Sequence, residues 1–360
     1  MSATVPPRFH GTATTVPGQV KGKVEMTINI AVVTGDALVL GCDSIASSSQ
    51  RLLDPFRPGA STKVDQNGRV TTQFDFSDLG DYVTDVWVGV PKMFCLCRDA
   101  ANVAATTAGL AKLNGRTMAD YADEFCQRLA SGKPRHLVNV GPIAREWLRF
   151  MRRQYNKHHK DNQLPPPLWD DVLFLVGGFG RDDKFPSLYR ISLKDNRVDK
   201  QYVAGEAGLA WAGQSEAVYR LMFGYALSVR VEVEQAIEDF LDRAKTVRAE
   251  TRQRTMEALS KALKVAPPAS LSVTMPPLKR PQLSWDQHAL PLSVNNMPTQ
   301  HAIDFAAFLV NLETGRSKFY PGIETVGGRT HIGLLTRTRK FKMLNEPELE
   351  HSNLGFARNV

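Results

Sequence analysis

Apolar residues in this chain fall into short blocks bounded by turn residues and into longer stretches with helical spacing. Residues 27–44 read Thr-Ile-Asn-Ile-Ala-Val-Val-Thr-Gly-Asp-Ala-Leu-Val-Leu-Gly-Cys-Asp-Ser, two apolar strands joined at Thr34-Gly35-Asp36. Ser47–Val90 mixes Pro, Gly and polar residues and reads as an insertion between strands, with a small hairpin over Ser61–Phe74 around Asn67-Gly68. Lys92–Leu96 and Val103–Thr107 predict two more strands, linked by the polar turn Arg98–Asn102.

Two helices should follow. Thr117 can cap the first, which carries Met118, Tyr121, Phe125 and Leu129 at helical spacing. The second opens at Pro142 and carries Ile143, Trp147, Leu148 and Met151. Asp171–Gly178 is a nearly all-apolar strand with Ser187–Leu193 as its partner. Glu216–Leu227 and Val231–Leu263 predict further helices, the second long and charged, and either one helix or a pair. Prolines make Ala266–Asn295 an irregular excursion, Met297–Leu312 returns to helix, and His331–Leu335 is a last strand. Runs of strands alternating with helix pairs predict an α+β fold, a four-layer α-β-β-α sandwich, and argue against the strict alternation of a doubly wound parallel sheet. The expected organisation is a leader over 1–25, one domain over 26–345 with insertions at 46–90 and 265–296, and a tail over 346–360.

Composition sets the class. The 360 residues are 42% hydrophobic and 23% charged, as in a globular protein with a sizeable core. No run approaches the ~18 apolar residues of a membrane span. The first 25 residues lack the apolar segment of a signal peptide, so a cytoplasmic location is expected. Four cysteines in apolar surroundings read as reduced, buried thiols. Cys95 and Cys97 have no second pair or nearby His, so zinc is not expected. The net charge of +8 is concentrated at Arg145–Lys160, Arg243–Lys264 and Arg337–Lys342. The first two lie on helix-like segments that also carry acids and lack interleaved aromatics, which describes solvated faces better than a nucleic-acid groove.

The chemistry lies in the strand blocks. Thr27 heads the first strand and Asp43 closes the second, sixteen positions on. A threonine hydroxyl is a poor nucleophile and needs a base. Its own α-amine serves when the residue is N-terminal, since that amine is partly neutral near physiological pH. A lysine ammonium beside the amine lowers its proton affinity, and an aspartate holds the lysine in place. Lys92, followed by an apolar strand and then by Val103-Ala104-Ala105-Thr106-Thr107-Ala108-Gly109, completes an ordered set.

That ordered set resembles the proteasome β-subunits and the related bacterial HslV and Anbu peptidases, which are N-terminal-nucleophile hydrolases. The resemblance extends to Leu173–Gly178 with Leu188–Leu193, to Trp211-Ala212-Gly213-Gln214-Ser215-Glu216 and to Gly327-Gly328, covering roughly residues 26–336. It implies Thr27 as nucleophile after removal of residues 1–26, Asp43 and Lys92 as the tuning pair, Gly109 as oxyanion donor and Thr107 as lining of the substrate pocket. Lys63, in Ser61-Thr62-Lys63-Val64, is the rival lysine. Translation starting at Met26, with methionine removal before the small Thr27, would expose the amine directly; autocatalytic removal of a leader is the other route. The resemblance further implies peptide or unfolded-protein substrates, a homo-oligomeric ring with an unfoldase partner left open, and no metal or organic cofactor. The supporting serine of the family falls on Gln214, and its supporting Asp and Ser fall on Ile323 and Val326. A noncatalytic structural subunit on the same fold therefore stays open, as does an amidohydrolase acting on a small amide.

Overall fold

The computed structural model describes residues 27–53, 61–64, 70–73, 79–131, 137–163, 166, 169–264, 277–319 and 325–345, with only the backbone described between 48 and 85 and at 286. The leader and Met26, the Asn67-Gly68 turn, residues 265–276, Ile323 and the tail over 346–360 lie outside them. Two compact units are present, one formed by Met1–Val218 with Pro291–Val360 and the other by Tyr219–Leu290.

The first unit is α+β. β1 (Ile28–Val33) and β2 (Ala37–Cys42) form the expected hairpin, and every residue of both is buried. Thr34 shapes its turn by accepting the Asp36 and Ala37 N–H groups on Oγ1 at 3.3 and 3.0 Å. β3 (Ala46–Leu53) pairs with β6 (Leu79–Trp87), and β4 (Ser61–Val64) pairs with β5 (Val70–Gln73). Between residues 46 and 87 the described residues thus form two antiparallel ribbons; only the inner one is legible in the sequence, because the outer one pairs across 25 intervening residues. β7 (Met93–Cys97) and β8 (Asn102–Gly109) follow, then the short β9 (Lys112–Leu113) and β10 (Arg116–Thr117). α1 (Met118–Ala130) starts with a full capping box, Thr117 Oγ1 accepting the Asp120 N–H while the Asp120 carboxylate accepts the Thr117 N–H. α2 spans Val140–Asp161, opening two residues before Pro142. β11 (Val172–Phe179), β12 (Ser187–Ser192), β13 (Arg197–Tyr202) and β14 (Gly208–Gly213) lead into α3 (Glu216–Phe223) and α4 (Leu227–Leu263). α5 (Thr299–Phe319), β15 (His331–Thr336) and β16 (Lys342–Met343) complete the chain.

Two five-stranded sheets result, in the orders β14-β1-β2-β15-β16 and β13-β12-β11-β8-β7, with all pairings antiparallel. Alternation along β1 sends Ala31 and Val33 to one side and Ile30 and Val32 to the other. Ala31, Val33, Leu38 and Leu40 share one core with Ala104, Ala108, Leu175 and Leu188, so the inner faces of the two sheets pack on each other. The far face of the first sheet meets α5 so closely that a Cβ on Gly41 would stand 3.2 Å from Val310 Cγ2. On the second sheet, Phe94, Val103 and Phe174 share a core with Phe125, Trp147 and Phe150 of α1 and α2. Trp147 sits at its centre, edge-on to Phe125 and Phe174 at centroid distances of 5.1 and 5.4 Å.

β13 and β14 escaped the sequence reading for different reasons. β13 alternates polar residues on a half-buried edge, and β14, Gly-Leu-Ala-Trp-Ala-Gly, has little strand propensity of its own. Six residues of register with β1 make β14 a strand. α4 is one continuous helix that begins at Leu227, and α5 runs on to Phe319. In the second unit, Tyr219, Phe223, Tyr225 and Trp285 form an aromatic group, and Leu290 N–H returns to the Met222 carbonyl at 2.7 Å.

Candidate active site

The antiparallel hairpin brings the start of β1 beside the end of β2, and Asp43 N–H donates to Ile28 O at 3.3 Å. Thr27 and Asp43 therefore meet although sixteen positions separate them. Lys92, just before β7, arrives from the other sheet. Its ammonium donates to Thr27 Oγ1 at 2.7 Å and to Asp43 Oδ1 at 2.8 Å. All three side chains are buried, with Asp43 at 0% exposure, Thr27 at 2% and Lys92 at 4%.

Asp43 is held from four directions. Oδ1 accepts from Ile28 N–H at 3.2 Å as well as from Lys92, and Oδ2 accepts from Ile45 N–H at 3.2 Å and Gly327 N–H at 3.1 Å. Burial pushes this carboxyl up from its ordinary range, while the Lys92 ammonium and the backbone donors pull it down. With four donors and, among the described residues, no acceptor facing its oxygens, the hydrogen bonding is that of a carboxylate. A buried ion pair persists only when such extra bonds satisfy its remaining lone pairs. Next to it, burial and the Asp43 charge push the Cys42 thiol up to about 12, which leaves it protonated and no rival nucleophile.

The strand ends supply backbone to the same corner. Gly213 has φ +86°, and a Cβ there would collide with the Thr27 carbonyl. Free of one, the chain passes close enough for Gln214 N–H to donate to Thr27 O at 2.6 Å. A Cβ on Gly213 would also lie 3.5 Å from the Ala108 Cβ, so the end of β8 adjoins the start of β1. Gly109, next along, is exposed with φ +100°, and a side chain there would meet the Asp171 carbonyl. Thr107 is buried, donates its N–H to Lys92 O at 2.9 Å, and has no protein partner for Oγ1 among the described residues.

No protein-family model matches this chain, and no curated protein matches it. Among solved structures, Anbu (ancestral beta-subunit) from Yersinia bercovieri aligns with a TM-score of 0.41 and 10% identity, covering 89% of this chain and 88% of that one. The Anbu (Gly-1) mutant from Hyphomicrobium sp. strain MC1 aligns at 0.40 and 10% identity, over 88% and 86%. Likeness at this level carries no argument about fold or chemistry, which rest on the geometry above.

The Lys92 ammonium touches both Thr27 and Asp43, with Thr107 against the lysine backbone and Gly109 at the neighbouring strand end. Lys63 lies on β4, in the small ribbon with β5, and its side chain is outside the described residues. Sequence reasoning missed three contributors. Gly327 was read only as half of a double glycine, yet its N–H anchors Asp43, while Gly213 and Ile45 act through backbone alone. His331, opposite Cys42 in register, is buried, and burial lowers its imidazole below the ordinary range. Among the described residues no His, Cys, Asp or Glu cluster suits a metal ion, and no helix is long and apolar enough to cross a membrane.

Proposed function

We propose that this chain is a proteasome-type N-terminal-nucleophile hydrolase, built as a four-layer α-β-β-α sandwich and cleaving peptide bonds with Thr27. The observation that carries the reading is the Lys92 ammonium bridging Thr27 Oγ1 and Asp43 Oδ1 at 2.7 and 2.8 Å. The positive charge beside Thr27 Oγ1 favours the deprotonated form of the hydroxyl, which is what a nucleophile requires.

Removal of residues 1–26 exposes the Thr27 amine. Thr27 Oγ attacks the scissile carbonyl while its proton passes to that amine, giving a tetrahedral intermediate whose oxyanion is met by the Gly109 N–H. Collapse expels the amine product, which takes the proton, and leaves an ester on Thr27. Water, activated by the same amine, hydrolyses the ester. Lys92 keeps the amine's proton affinity low, Asp43 fixes Lys92, and Thr107 lines the pocket for the side chain preceding the cleaved bond. A ring of subunits enclosing the sites and a cytoplasmic setting belong to the same reading.

One observation favours a noncatalytic subunit on this fold instead. By the resemblance, the family's supporting serines fall on Gln214 and on Val326, which is fully buried and apolar and cannot orient the amine. A threonine-directed peptide epoxyketone separates the readings. Labelling at Thr27 of a mature chain beginning there, lost in Thr27→Ala, supports the hydrolase. A native chain that retains residues before Thr27 by intact mass and takes no label eliminates it.

A further inference from the structure

The second unit carries a feature that the catalytic reading leaves unused. α4 runs for 37 residues, about 55 Å at helical rise, yet Leu241 is its one buried side chain. Its half-buried positions, among them Val231, Glu234, Ile237 and Ala244, follow one face. On a separate flank, Val229, Val233, Phe240 and Val247 stand 46%, 37%, 68% and 59% exposed. With the exposed Ala236 they are spaced four, three, four and seven apart. That is the seam of a helix that packs along another helix, not the scatter of isolated apolar residues on a solvated face.

Charge along the helix identifies what fits the seam. Residues 227–242 contain five acids and one arginine, whereas residues 243–263 contain six Arg or Lys and two Glu. The helix macrodipole favours such a bias only within the first and last turns, so it does not account for segregation over the whole length. A second α4 laid antiparallel sets acidic half against basic half at both ends, and a parallel one sets like against like. Phe240 lies midway between Val233 and Val247, seven positions from each. A two-fold axis through Phe240 therefore stacks Phe240 on its own copy and places Val233 opposite the second copy's Val247. Such self-complementarity is the condition for an isologous interface.

We propose that α4 is a homotypic docking surface on which two copies of this chain pair antiparallel about a two-fold axis at Phe240. One helix pair covers less than the roughly 800 Å² per partner of a standard interface, so the contact by itself is weak and salt-sensitive. It is independent of whether Thr27 is a nucleophile.

The test uses the full chain. Sedimentation velocity over a concentration series should show self-association that Phe240→Glu reduces to half the mass, and that rising salt weakens. Phe240 is exposed, so its replacement leaves no cavity, and an unchanged melting temperature verifies the fold. Under mild oxidation, Phe240→Cys should cross-link to its own copy, identified as a 240–240 disulfide peptide. Val233→Cys and Val247→Cys should cross-link when mixed and not alone. Parallel 233–233 cross-links, an assembly mass indifferent to Phe240→Glu, or a wild-type chain monomeric into the hundreds of micromolar would each overturn the proposal.

Discussion

Among the described residues of the first unit, two carboxylates are fully buried, Asp43 and Glu313, and they are used differently. Glu313 Oε2 accepts the Ala217 N–H at the start of α3 at 2.7 Å, and Oε1 accepts from Arg316 Nη1 at 2.8 Å. Arg316 reaches on to Glu216 at 2.6 Å, so this network ties α5 to the first turn of α3. Asp43 likewise has its oxygens filled by backbone N–H groups and one cation, but that cation continues to a hydroxyl, Thr27 Oγ1. Burial of a charge therefore does not mark a site. What sets the Asp43 pair apart is that its cation turns a second donor on a potential nucleophile.

The comparison can be broken by mutation, and the largest effect is expected at Thr27. Thr27→Ala should lower hydrolysis of a peptide substrate by at least about 1,000-fold, while the melting temperature falls far less than in a variant without Lys92, because a hydroxyl and a methyl are lost but the Lys92–Asp43 ion pair remains. Lys92→Met should match that loss of turnover and also destabilise the fold by about 3–5 kcal/mol, because it strands Asp43 as a buried charge without its cation. The double variant Lys92→Met/Asp43→Asn should regain part of that stability in a denaturant titration and none of the activity. If Lys92→Met turned over substrate normally, the distinction between the two carboxylates would collapse.

At the other pole, Glu313→Gln should cost about 1–3 kcal/mol in thermal or chemical unfolding, from a buried partner mismatched to the Ala217 N–H. The rate of covalent labelling at Thr27 should not change. A matching loss of labelling would mean that the α5 network belongs to the site after all.

The effect furthest from turnover concerns pH. His159 stacks on Trp169 at 4.7 Å and meets Tyr155 edge-on at 4.4 Å, and burial lowers its pKa to about 4. Between that value and the unfolded value of about 6.5 the unfolded chain holds a proton that the native one does not. The contribution is therefore complete above about 6.5 and is lost as the pH falls towards 4. A His159→Phe variant should show a shallower fall in melting temperature than wild type across that window, with turnover at neutral pH unaffected.

Much of the site was legible because its parts sit at strand ends. An apolar run closing in Cys42-Asp43 and another opening at Lys92 can be found without coordinates, since strand boundaries follow from local pattern. In the sequence, spacing favoured Lys63 and the strand that follows favoured Lys92; tertiary structure brings the Lys92 ammonium to Thr27. Gly327 and Ile45 left no chemical signature, because they hold Asp43 with peptide N–H groups that every residue but proline carries.

What the amino-acid order determined by itself was local: the β1–β2 hairpin and its Thr34 turn, the capped start of α1, the helical stretches, and the charge gradient along α4. Each depends on neighbours within a few residues, where propensity and periodicity act. Tertiary structure alone decided that the weakly encoded β14 becomes a strand against β1, and that Lys92 crosses from one sheet to meet a hydroxyl and a carboxylate of the other. Those outcomes depend on long-range pairing and on the exclusion of water between two sheets. Burial of that kind makes one ammonium, one carboxylate and one hydroxyl answer to each other and not to solvent.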